Sequence, residues 1–186
     1  LPVLPAGVER HPVPGGGSRA VPIFAGDEIT LQDTEGLQPA EMVFYAPDRR
    51  SDAGMIGAEG GRDPSGLKAS LLQHASGRKV IYALDKAGFD LAQADGTLVF
   101  AEGSRPGDTA SFTASQDGLL IVCAAGGAME AHEQWAPSEI VLFVKRLTPL
   151  LRKGDAIMPD PLADPLVDIN IQPGDAKPYE VKAGEF

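Results

Sequence analysis

The sequence predicts a mainly β fold: a sandwich or distorted barrel of short, largely antiparallel strands, with one short helix and a long extended C-terminal tail. Three observations carry this. Glycine and proline supply 22 and 16 of the 186 residues without a collagen-like period, a composition that suits short strands joined by turns. The longest apolar runs, residues 119–123 and 140–144, are strand-length. Turn signals such as Ala25-Gly26-Asp27, Asp95-Gly96 and Asp117-Gly118 recur between them.

Taken in order, residues 1–20 read as an extended lead-in, because four prolines and Gly15-Gly16-Gly17 leave little room for regular structure. The glycine run lacks the spacing and the lysine of a phosphate loop. A β domain then spans residues 21–150. Its first stretch, 21–45, reads as strand, turn, strand: Ala25-Gly26-Asp27 is the turn, Ile29 and Leu31 alternate with Thr30 and Gln32, and residues 33–36 break the chain before Met42-Val43-Phe44-Tyr45 resumes apolar character. Residues 46–66 form a long polar loop, either a lid or a connector. Asp63-Pro64 is a helix start, with Asp as N-cap and Pro at the first helical position, and Gly77 is expected to end that helix after two or three turns. From Lys79 the pattern turns β-like. Residues 80–84 are expected to be a strand, 89–92 a short extension, 93–96 a hairpin turn and 97–100 its return; further strands follow near 111–114, 119–123 and 140–144. Residues 151–178, with five prolines from Pro159 to Pro178 between and beyond the strands, read as a wrap or linker. Residues 179–186 echo Val21-Pro22-Ile23-Phe24-Ala25-Gly26-Asp27, which suggests the start of a second, repeated β unit in a longer polypeptide.

Charge and cysteine usage narrow the partners. A formal net charge of −10 repels nucleic-acid phosphates, and no basic patch offsets it. No apolar run is long enough to cross a bilayer as a helix. The single cysteine, Cys123, allows no intrachain disulfide, fits a reducing, cytoplasmic setting, and reads as a small core hydrophobe. Two polar groups could carry chemistry. Asp33, Gln38 and Glu41 bracket the second turn, either as backbone-bonded turn residues or as a substrate-binding set. His132 and Glu133 are the candidate catalytic pair, and Trp135 beside them could hold a cation over its indole face. No metal-ligand spacing links His11, His74 and His132, so no metal site is assigned within this chain.

The residues from Ala25 to Asp48, with Asp33, Gly36 and Gln38 at the matching positions and Glu41 where an aspartate is usual, resemble the opening of the urea carboxylase-associated family, the DUF1989-like domains. Regions of this kind also occur, duplicated, ahead of a T-protein-like domain in N-oxide demethylases and related aminomethyltransferases. The resemblance implies the N-terminal domain of a folate-dependent enzyme that takes trimethylamine N-oxide to dimethylamine and formaldehyde, or performs a related one-carbon transfer from a small methylated amine. It implies a domain that supports catalysis, joined to a second β domain and a T-protein-like domain, with zinc and tetrahydrofolate held outside this segment. A chain with one cysteine cannot build a thiolate zinc cluster. The alternatives are a non-catalytic small-molecule-binding or homo-oligomerisation domain, and a metal-dependent hydrolase.

Overall fold

The computed structural model describes residues 4–73, 75–101, 103–126 and 136–147. The chain divides into a unit Leu1–Thr148 and a unit Pro149–Phe186; the second, with the expected wrap and repeat, lies outside the described residues.

Among the described residues, eight strands make two four-stranded sheets. They are β1 (Val8–Val13), β2 (Ser18–Ile23), β3 (Glu28–Asp33), β4 (Ala40–Tyr45), β5 (Gly96–Val99), β6 (Thr109–Thr113), β7 (Gly118–Cys123) and β8 (Ile140–Lys145). One sheet has the order β1-β8-β3-β6 and the other β2-β7-β4-β5, and every pairing is antiparallel. The partners nest: β1 with β8, β2 with β7, β3 with β6, β4 with β5. A long hairpin rolled up in this way is a jelly roll. The two sheets do not close on each other, so the expected sandwich is realised and the barrel is not.

Period-2 alternation fills the space between the sheets. Ile29, Leu31 and Asp33 of β3 face inward with Ile140, Leu142 and Val144 of β8, and Met42 and Phe44 of β4 meet them with Leu120 and Val122 of β7. Their burial withdraws apolar surface from water at roughly 25 cal/mol per Å². The other face of the β2-β7-β4-β5 sheet carries Val43, Tyr45, Ile121 and Cys123, and it is covered by helices that contribute Leu67, Leu71 and Leu84.

Those helices depart from the sequence reading. Besides α1 (Ser65–Gln73) there is a second, α2 (Ala75–Ala87), which absorbs the strand expected at 80–84. The five-residue window hid the period: Gly77, Val80, Ile81 and Leu84 recur at helical spacing, with Arg78 and Lys79 between them and Asp85 and Lys86 after them. Gly77 does not end a helix. A Cβ there would collide with the backbone of Leu71, so glycine lets α2 cross close to α1. Residues 89–92 form no strand either; Phe89 stands edge-on to Tyr45, 5.2 Å between ring centres. The lead-in is more regular than expected, because β1 and β2 are edge strands, the positions where Pro12 and Pro22 are tolerated. A 3-10 turn, Ala53–Ile56, orders part of the 46–66 loop.

One end of the roll is fastened by charge. Arg146, 3% exposed, follows β8 and donates through Nε and Nη2 to the two carboxylate oxygens of Glu9 on β1, at 2.9 and 2.7 Å. Its Nη1 donates to Asp27 Oδ2 at 2.6 Å and to the Pro22 carbonyl, and its guanidinium carbon lies 5.4 Å from the centre of the Phe24 ring. Asp27, 1% exposed, also accepts from the backbone N–H of Phe24 and Leu147. Burial alone would pull the guanidinium pKa down, but the hydrogen bonds of Glu9 and Asp27 reverse it and the net shift is upward. The same contact with Arg146 lowers the pKa of Glu9.

Arg146→Met leaves the Asp27 carboxylate buried without its cation and is expected to cost about 3–5 kcal/mol in urea denaturation. Glu9 has the depressed pKa, so its share of stability is present above the ordinary glutamate range and is lost as pH falls through the lowered value. The acid limb of stability against pH should therefore flatten in Glu9→Gln.

Candidate functional site

Asp33, Gln38 and Glu41 do not form one site. Asp33 ends β3 on the inward face and is fully buried. Its Oδ1 accepts from the N–H of Glu35 and Gly36, and its Oδ2 from Gln38 N–H at 2.9 Å and from Ser104 Oγ at 2.5 Å. Four donors use the lone pairs of the carboxylate, so it holds a turn and has none free for a ligand. Ser104 in turn accepts from Leu37 N–H, joining the turn to the segment before β6. Gln38 is equally committed. Its Nε2 donates to the carbonyls of Pro39 and Ala125, at 2.7 and 2.9 Å, and its Oε1 accepts from Ser138 N–H at 2.8 Å. The amide thus ties together the two flanks of the segment that carries His132, Glu133 and Trp135. Those three residues lie outside the described residues, as does His74.

Glu41 goes elsewhere because Ala40 and Met42 take the inward face, which turns position 41 outward, opposite Cys123 and Leu98 on its neighbours. There its Oε1 and Oε2 accept from Gly66 and Leu67 N–H at 3.2 and 2.8 Å, which caps α1. The expected cap, Asp63, pairs with Lys68 Nζ instead. Gly66 is needed for this cap: a Cβ there would press on Glu41 Oε1 and on Ala125.

Glu41 also borders a cleft of about 360 Å³ between the start of α1 and β5, lined with Arg62, Asp63, Ser65, Thr97 and Leu98. Nothing in the sequence marked Arg62, which sits in the polar loop 46–66. Asp95 shapes the same region, accepting from Ala53 and Gly61 N–H and so holding that loop against β5. Arg62 itself extends the sheet by one bridge, its N–H and carbonyl both bonded to Gly96.

Cys123 lies under α1, fully buried, with its thiol pushed up to about 12 chiefly by burial and then by the nearby Glu41 carboxylate. Tyr45, pushed up to about 12 by burial and then by Asp90, donates its hydroxyl to the Asp90 carbonyl. Both are held in their neutral forms at ordinary pH, so neither offers a nucleophile. Among the described residues no three His, Cys, Asp or Glu side chains come together to hold a metal ion, so these residues do not fit zinc. No helix among them is long and apolar enough to cross a membrane.

The fold and these contacts define a jelly-roll domain whose polar turn is architectural and which carries a cleft lined by Glu41 and Arg62. At 38% identity over 184 residues the chain is similar to the trimethylamine-oxide aldolase of Ruegeria pomeroyi (strain ATCC 700808 / DSM 15171 / DSS-3), a match that covers 98% of this chain and 23% of that protein. Among solved structures, a DUF1989 family protein from Silicibacter pomeroyi aligns with 86% of this chain and 85% of its own, at 15% identity and a TM-score of 0.46. No protein-family model matches the chain. The first of these similarities agrees with the enzyme that the resemblance of residues 25–48 implied.

Gln38→Leu strands Ser138 N–H and the Ala125 carbonyl, and is expected to cost about 2 kcal/mol in urea denaturation with loss of hydrogen-exchange protection at the Ser138 amide. Cys123 is expected to resist iodoacetamide at pH 8 until the chain unfolds, and mass spectrometry of native and urea-treated samples checks it.

Proposed function

We propose that this chain is the supporting β domain of a trimethylamine-oxide aldolase-like enzyme, which releases dimethylamine and formaldehyde from the N-oxide and passes the one-carbon unit to folate. The observation that carries this reading is the 38% identity to that enzyme across 98% of the chain. The chain spans 23% of the relative's length, which leaves ample room there for a second β domain and a T-protein-like domain. Zinc and tetrahydrofolate belong, in this reading, to those other regions, and the whole enzyme works in the cytoplasm.

A supporting role fits the way the polar residues are used. Asp33 and Gln38 spend their hydrogen-bonding capacity on backbone, and Gln38 fastens both flanks of the segment holding His132 and Glu133. In this reading the domain supports catalysis carried out by the larger polypeptide. If His132 and Glu133 meet the substrate, the imidazole would relay a proton, the carboxylate would stabilise a cationic amine, and Trp135 would pack its indole over that cation. A plain small-molecule-binding role is the second reading, favoured by the cleft at Glu41.

The 186-residue chain alone is expected to release no formaldehyde from trimethylamine N-oxide, whereas a polypeptide that also carries the second β domain and the T-protein-like domain does. Turnover by the chain alone would overturn the supporting role. Stoichiometric zinc retained by the chain after dialysis would overturn the placement of the metal.

A further inference from the structure

The cleft between α1 and β5 presents polar groups that the fold leaves unspent. Arg62 is exposed there, and its guanidinium makes no hydrogen bond or ion pair with a described residue; Arg19, Arg49 and Arg105 are in the same state, but of these Arg62 is the one that lines this cleft. Leu98 contributes its backbone. Gly96 exchanges both of its bonds with Arg62, so the alternation of an antiparallel ladder turns the N–H and carbonyl of Leu98 to the same side, away from β4. No described residue takes them. Glu41 gives each carboxylate oxygen to one helix N–H and keeps further lone pairs at the cleft wall. The nearby Asp63 is already paired with Lys68.

This leaves an unpartnered cation, the Glu41 carboxylate, the Asp63 carboxylate shared with Lys68, and a donor-acceptor pair of backbone groups around about 360 Å³, a volume in the range of small-molecule sites. A simple anion would meet Arg62 but also face Glu41. A simple cation would meet Glu41 and be opposed by Arg62. Only a ligand bearing both signs satisfies both walls.

We propose that this cleft binds a small ammonium carboxylate zwitterion, with the carboxylate on the Arg62 guanidinium and Leu98 N–H and the ammonium on Glu41 and the Leu98 carbonyl. The site stands on Arg62, Glu41 and β5 alone, so it holds whether or not the domain supports an aldolase.

Calorimetric titration of the 186-residue chain tests it with glycine and 4-aminobutanoate as zwitterions of two lengths, and with acetate and methylammonium as their separate halves. At least one zwitterion is expected to bind, each half at least about tenfold more weakly, and Arg62→Gln to weaken the zwitterion at least about tenfold. That side chain has no partner among the described residues, so the variant should melt at the wild-type temperature. The proposal is overturned if neither zwitterion binds, if a half binds as tightly as the whole, or if Arg62→Gln binds like the wild type.

Discussion

The contact on which the closed form of the roll depends is the buried guanidinium of Arg146. It gathers the first strand through Glu9, the end of β2 through the Pro22 carbonyl and the turn into β3 through Asp27, while standing at the end of the last strand of the unit. A jelly roll brings the two ends of its chain side by side, and β1 pairs with β8 along its whole length. Long-range pairing of that kind carries a large loop-closure entropy. A charge network that needs all four segments in place rewards only the closed arrangement, because each carboxylate buried without the cation would be strongly unfavourable. Asp27 contributes twice, since the carboxylate that holds Arg146 also closes its own turn through Phe24 N–H.

Carboxylates are used as backbone clamps throughout. Asp33 closes the β3-β4 turn, Asp95 holds the 46–66 loop, and Glu41 caps α1 from a strand 26 residues back along the chain. An acidic composition therefore does structural work here, in addition to setting the sign of the surface. The helical layer depends on glycine for the same reason: Gly66 admits the Glu41 carboxylate to the start of α1, and Gly77 admits α2 to the backbone of α1. Both interrupt helical propensity, and both are retained where a Cβ has no room.

The candidate site was legible only in part. Asp33, Gln38 and Glu41 stand close in sequence and invite a single site, yet a strand separates neighbours onto opposite faces, so the first two serve the turn and the third serves a helix on the far side of the sheet. Arg62 carried no signal, because what distinguishes it is its place beside Glu41 in the cleft, and that juxtaposition is a property of the folded chain. The same holds for Asp27, which reads as a turn residue, and for Arg146, which the sequence does not single out.

Local order was legible in the sequence: period-2 alternation in β3, the apolar runs of β7 and β8, and the turn chemistry at Gly26 and Gly36 all depend on residues within a few positions of one another. Tertiary structure alone decided that residues 80–84 are helical, that the proline-bearing lead-in supplies two edge strands, and which strand pairs with which. The physical reason is that a short apolar window has no period of its own and an edge strand needs only one partner. Both take their form from the surface they are packed against, which in a nested roll is contributed by residues far along the chain.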